Sequence, residues 1–181
     1  MSVLDQSKGY FKYFEEITKI PHGSYNEKAL ADYIENFAKV RGLQYKRDEM
    51  DNVIVYKDAT PGYEDHAPVM LQGHIDMVNE KNNDSDHDFD KDPLDLYIED
   101  GWLHARGTTL GADDGVAVAY MLALLDANDV KHPALDCVFT VQEEVGLFGA
   151  ANIKKEDIRA RRMINMDSGG ETHTSVCSSG G

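Results

Sequence analysis

Short apolar runs of strand length recur along this chain and alternate with stretches of helical period. That alternation confines it to an α/β layout with a mostly parallel sheet. Four acidic or histidine-bearing motifs stand where strands are expected to end: Gly73-His74-Ile75-Asp76, Gly111-Ala112-Asp113-Asp114-Gly115, Gln142-Glu143-Glu144-Val145 and Asn165-Met166-Asp167-Ser168. In open parallel sheets, ligands collect beyond the carboxyl ends of the strands. The expected architecture is a three-layer α/β/α domain that gathers all four motifs at one end.

The periodicity predicts a helix over residues 5–19, carried by Tyr10, Phe11, Phe14 and Ile17 and ended at Ile20-Pro21. Ser24-Tyr25-Asn26-Glu27 has the form of a capping box and opens a second predicted helix that runs to Val40, with Gly42 at the stop position. Residues 43–48 and 52–57 read as a hairpin, as do Leu94–Ile98 and Trp102–His104 around Glu99-Asp100-Gly101. Residues 68–72, 134–141 and 162–166 read as buried strands, residues 116–125 as a buried helix and residues 172–177 as an edge strand. Residues 80–93, with five aspartates, read as a surface loop, and residues 146–153 as a glycine-containing turn with a short helix.

A length of 181 residues suits one domain with a real core. The formal net charge of −15 argues against a nucleic-acid partner, which needs a basic face, and against anionic membrane surfaces. No run of about 18 apolar residues exists to span a membrane, and the polar, charged start predicts no secretory signal. The two cysteines, Cys137 and Cys177, form no C-x-x-C pair, and Cys137 lies in an apolar strand where an inert buried thiol is expected. Cytoplasmic residence is the expectation.

The chemistry lies in the motifs. In His74-x-Asp76 an imidazole can bind a cation while the carboxylate accepts its other N–H; a partly buried histidine beside a surface aspartate is the plainer alternative. Asp113-Asp114, between glycines at the start of an apolar helix, reads either as an N-cap pair or as a carboxylate bridging two cations. Glu143-Glu144 closes the apolar run 137–141, where adjacent carboxylates are costly unless cations or protons offset them. One of the two can bind metal while the other serves as a base. Asp167 follows the apolar run 163–166 and reads alone as a turn residue, or with the other motifs as a terminal ligand on the His74 side. Together the set suits a two-zinc hydrolase.

The runs Gln72-Gly73-His74-Ile75-Asp76-Met77-Val78, Gly107 to Gly115, and Glu143-Glu144-Val145-Gly146-Leu147-Phe148-Gly149-Ala150 resemble those of the M20 metallopeptidases, and within them the aminoacyl-histidine (Xaa-His) dipeptidases. The resemblance covers nearly the whole chain. It implies that His74 and Asp167 bind one zinc, Asp113 bridges both ions, Glu144 binds the second, Glu143 is general base and then general acid, and Asp76 orients His74. It also implies a cis peptide between Asp113 and Asp114, a dipeptide substrate, and two Zn(2+), with Co(2+) or Mn(2+) as substitutes.

Two departures matter. The family's second zinc takes a further histidine from late in a much longer chain, whereas here only His173 follows Asp167, and it does not match that motif. The family's separate lid or dimerisation domain, which points to a homodimeric parent, has no room in 181 residues. The chain therefore resembles the amino-terminal portion of a catalytic domain, incomplete at its C-terminus and expected to hold zero or one ion. After Asp167-Ser168, moreover, Gly169-Gly170 intervenes where further acids often follow. An inactive fragment or degenerate homologue that binds a metal or a partner is one alternative, and a tripeptidase or aminoacylase on the same scaffold is another. Asp167-Ser168-Gly169-Gly170 is similar to the nucleophile motif of trypsin-like serine proteases, but no histidine or aspartate motif of that family precedes it.

Overall fold

A computed structural model describes residues 2–169 and Val176. Helices α1 (Gly9–Ile17) and α2 (Lys28–Val40) lead into strands β1 (Gln44–Arg47), β2 (Val53–Lys57) and β3 (Val69–His74). A separate hairpin follows, β4 (Leu96–Glu99) with β5 (Trp102–Ala105), and then helix α3 (Ala112–Asp126). Strand β6 (Leu135–Thr140), the short helix α4 (Phe148–Asn152), a 3-10 turn (Lys155–Asp157) and strand β7 (Arg162–Asn165) complete the described chain.

The main sheet has the order β1-β2-β6-β3-β7. β3 pairs in parallel with β6 and with β7, and β2 pairs antiparallel with β1 and with β6. Only β2 therefore runs against the others, and the sheet is mostly parallel. The register sets His74 beside Thr140 and Gln72 beside Asn165, so β3, β6 and β7 all release their chains at one end.

Helices α1, α2 and α3 cover one face. α2 buries Leu30, Ala31, Ile34, Phe37 and Ala38, the spacing of one helical stripe. Tyr13, Phe14 and Ile17 of α1 and Val118, Met121 and Leu122 of α3 join the same core as Val53, Val55, Leu135, Cys137 and Phe139 from the sheet. A polar tie closes the helix layer: the Tyr13 hydroxyl donates to Asp126 at 2.6 Å, and Arg41 Nε donates to the other oxygen of Asp126 at 2.7 Å. On the opposite face, the segment around the 3-10 turn lies over β2 and β6. Asp136, fully buried there, takes the backbone N–H groups of Arg159 and Ala160 and the Arg159 guanidinium. The Cys137 thiol is buried and pushed up to about 12 by burial, as its apolar strand predicts.

Phe139 sits in central β6 with no exposure. Phe139→Ala is expected to destabilise the fold by about 3–5 kcal/mol through lost burial and the cavity left behind. A denaturant midpoint shift at unchanged slope would measure it.

Four expectations are corrected. The first helix begins at Gly9, not residue 5, and no side chain caps its start. Ser24 and Glu27 form no capping box: α2 starts at Lys28 without a side-chain cap, and both side chains turn instead to the ends of β3 and β6. β7 is not buried. Among the described residues it is the sheet edge, and Met163 and Ile164 are more than half exposed. The helix predicted over 116–125 spans Ala112–Asp126 and packs on α1 and β3, leaving Val116 and Tyr120 outward. The expected edge strand 172–177, with His173 and Cys177, lies outside the described residues. The two hairpins and the left-handed Gly42 after α2 are as predicted. Among the described residues, no helix is long and apolar enough to cross a membrane.

Candidate metal centre

His74 is the last residue of β3 and is almost completely buried. The residue before it must be glycine. A Cβ at Gly73 would stand 2.7 Å from Asp114 Oδ2 and 2.8 Å from Ala117 Cβ, so only a bare α-carbon lets α3 approach the strand this closely. His74 Nδ1 lies 2.9 Å from the carbonyl oxygen of Asp76 and must donate to it, because a carbonyl can only accept. Nε2 is then directed at acceptors: Asp113 Oδ1 at 3.1 Å and Glu143 Oε2 at 4.0 Å.

Asp76 lies behind this imidazole. Its carboxylate, 3.4 Å from His74 Nδ1, accepts from the Ser24 hydroxyl at 2.8 Å and from the N–H groups of Glu143 at 3.0 Å and Glu144 at 3.3 Å. Burial would raise its pKa, but the hydrogen bonds from His74, Glu143 and Ser24 outweigh it and hold the carboxyl below its ordinary value. Asp76 thus orients more than His74, since it also anchors the Glu143–Glu144 turn.

The Asp113–Asp114 peptide is cis, and both residues depart from helical geometry inside the first turn of α3. This motif opens a helix rather than closing a strand. The two side chains separate sharply. Asp113 is mostly exposed and faces His74 Nε2, while Asp114 is buried and accepts the backbone N–H of His74 at 3.3 Å. Burial pushes Asp114 up to about 7, with the His74 charge opposing and the Asp167 and Asp113 charges adding to it.

Glu143 and Glu144 follow β6, and Asp167 follows β7. Ligand atoms of His74, Glu143 and Glu144 all lie within 4.8 Å of one another, and so do those of His74, Asp113 and Asp167. His74 belongs to both groups. All six residues singled out in the sequence are therefore brought together, Asp76 behind the imidazole and the other four carboxylates in front of it. Burial raises the pKa of Glu143 and Glu144, and crowding by neighbouring carboxylates adds to the rise.

The donor set suits divalent cations. Among the described residues, Asp76, Asp113 and Glu143 have His74 as their only ion-pair partner, with no lysine or arginine in the cluster. Burial disfavours a charged His74, yet the hydrogen bond and charge of Asp76, helped by Asp114 and Asp113, raise it to about 10. One buried imidazolium facing four carboxylates is a charge imbalance that a bound cation would relieve.

Sequence reasoning missed Ser24, which donates to Asp76, and Glu27 and Asn52, which accept the backbone N–H groups of Gln142 and Val141 just before Glu143. Ser24 and Glu27 carried a signal, but it was read as helix capping. Asn52 carried none.

Residues 70–177 match peptidase family M20/M25/M40. This chain belongs to that family. It is 46% identical over 155 residues to the cytosol non-specific dipeptidase of Escherichia coli (strain K12), covering 86% of this chain and 32% of that protein. The crystal structure of aminoacylhistidine dipeptidase from Vibrio alginolyticus matches with a TM-score of 0.88 and 42% identity over 90% of this chain and 33% of that one. A tripeptidase from Staphylococcus aureus shares the fold, with a TM-score of 0.75 at 23% identity over 93% of this chain and 45% of that one. The chain thus spans about a third of the length of the first two of these M20/M25/M40 relatives.

Proposed function

We propose that this chain is the amino-terminal portion of the catalytic domain of a two-zinc dipeptidase that acts on unblocked dipeptides, Xaa-His among them. The observation that supports this best is the convergence of His74 with Glu143 and Glu144 in one possible ligand group and with Asp113 and Asp167 in another. In this reading His74, Asp113, Glu144 and Asp167 would hold the metal, and Asp76 would keep the imidazole in its ligating tautomer. Bound zinc would polarise the scissile carbonyl and make water nucleophilic at neutral pH. Glu143, part exposed at the mouth of the cluster, takes the proton of the attacking water and hands it to the leaving amine. Asp114, buried behind, fixes the His74 backbone rather than a ligand.

Among the described residues, the group His74–Glu143–Glu144 contains no imidazole besides the shared one, and in this reading a further ligand comes from outside them. Zinc content and dipeptide hydrolysis, measured together on the 181-residue chain and on the full-length parent, test both points. The expected result is two ions and turnover in the parent, against one ion or none and no turnover in the chain alone. Turnover by the isolated chain would overturn the incomplete site. A parent that holds two ions and cleaves no unblocked dipeptide would overturn the dipeptidase reading.

A further inference from the structure

β6 leaves its ladder at Thr140, and the next four backbone N–H groups are each taken by a side-chain oxygen from a distant segment. Val141 donates to Asn52 Oδ1 at 3.0 Å, Gln142 to Glu27 Oε1 at 3.1 Å, Glu143 to Asp76 Oδ1 at 3.0 Å and Glu144 to Asp76 Oδ2 at 3.3 Å. Asn52, Glu27 and Asp76 are all at most 5% exposed. Gln142 meanwhile has a φ of +53°, a left-handed conformation that a non-glycine residue holds only when its surroundings impose it.

Glu27 is the member of this set with no other evident purpose. It stands at the start of α2 but does not cap it, and among the described residues no lysine, arginine or histidine pairs with it. A carboxylate buried without a cation is costly, and burial raises its pKa. What partly offsets the cost is the backbone N–H of Gln142, which donates to Glu27 Oε1 at 3.1 Å. A glutamine there would keep one oxygen acceptor for that N–H but carry an NH2 group in place of the second oxygen and lose the charge that strengthens the bond. Ser24, on the same loop, donates to Asp76, so the loop preceding α2 fixes both anchors of the acidic turn.

We propose that Glu27 is a positioning residue, which holds the turn at Gln142 and so aims Glu143 and Glu144 at the His74 cluster. The proposal rests on the dipeptidase reading for its consequence in turnover, but not for its consequence in the backbone. The test compares Glu27→Gln, Glu27→Asp and Glu143→Gln in the full-length enzyme. For Glu27→Gln we expect kcat to fall about 10–100-fold, the usual scale for removing a supporting partner of a metal site, with KM little changed. In the zinc-free protein, hydrogen exchange at residues 142–144 should speed up by about tenfold or more while the rest of β6 keeps its protection. Glu27→Asp, which keeps the charge but draws it back by one methylene, should fall between wild type and Glu27→Gln, and it decides the matter should Glu27→Gln fail to fold. Unchanged kcat and unchanged exchange in a folded Glu27→Gln would overturn the proposal. So would a loss of rate matched by the unfolded fraction alone. Full activity in Glu143→Gln would instead overturn the dipeptidase mechanism, and the exchange measurement would still judge Glu27.

Discussion

Under the proposed function, Glu143→Gln in the full-length parent is expected to lower kcat by about 10²–10⁴-fold, the range for losing a general acid–base group, with metal content and thermal midpoint unchanged. The substitution keeps shape and volume but removes the proton acceptor. The geometry explains why the loss should be large. Glu143 is the carboxylate that approaches His74 Nε2 to 4.0 Å while remaining part exposed, so it reaches both the cluster and an incoming water. Its own N–H is held by Asp76, so the side chain starts from a fixed backbone. Burial and neighbouring carboxylates hold its pKa above the ordinary glutamate value, the direction that makes a carboxylate a better base. Steady-state kinetics on two dipeptides, with metal analysis of the same samples, reads this directly. Retained turnover would move the base to another group, with Glu144 the nearest candidate.

Under the proposed function, His74→Ala should abolish tight binding of the ion that His74 would hold with Asp167. Both ligand groups share this imidazole, so a single substitution leaves each as a pair of carboxylates. Losing merely a supporting partner of a metal ligand costs about 10–100-fold in affinity, so removal of a ligand itself should exceed that range. Competition against a chromophoric chelator would measure the affinity, and thermal unfolding of the zinc-free protein would show whether the fold survives. Two ions bound at wild-type affinity in His74→Ala would mean that the cluster is not the metal centre. Turnover should vanish together with the zinc, and added zinc at high concentration should not restore it.

The resemblance through which Glu143 and His74 were first given roles rests on unbroken local runs, and such runs are what a sequence displays best. The α/β alternation, the two hairpins, the helix stop at Gly42 and the buried thiol of Cys137 were likewise legible, because turn chemistry and apolar period act over a few residues. All six site residues were visible as types in motifs, since a carboxylate after an apolar run is conspicuous wherever it occurs. Their convergence was not. It depends on the parallel register that sets His74 beside Thr140 and Gln72 beside Asn165, and on the close approach of α3 that Gly73 permits.

The places where sequence and structure part share one cause. Ser24 and Glu27 have the spacing of a capping box, a local device of about a kcal/mol. They are taken instead by longer-range partners: Ser24 donates to Asp76, and Glu27 accepts the Gln142 N–H. β7 reads as a buried strand from its apolar letters alone, yet its exposure depends on what flanks it, and among the described residues it has a neighbour on one side only. Asp113 and Asp114 are identical in the sequence, but the first faces the cluster and the second the His74 backbone. The sequence by itself determined which chemical groups are available and at which element ends they stand. Only the tertiary structure decided which carboxylate faces the His74 imidazole and which takes a backbone N–H, because burial and the competition for hydrogen-bond partners arise from segments as far apart as Glu27 and Gln142.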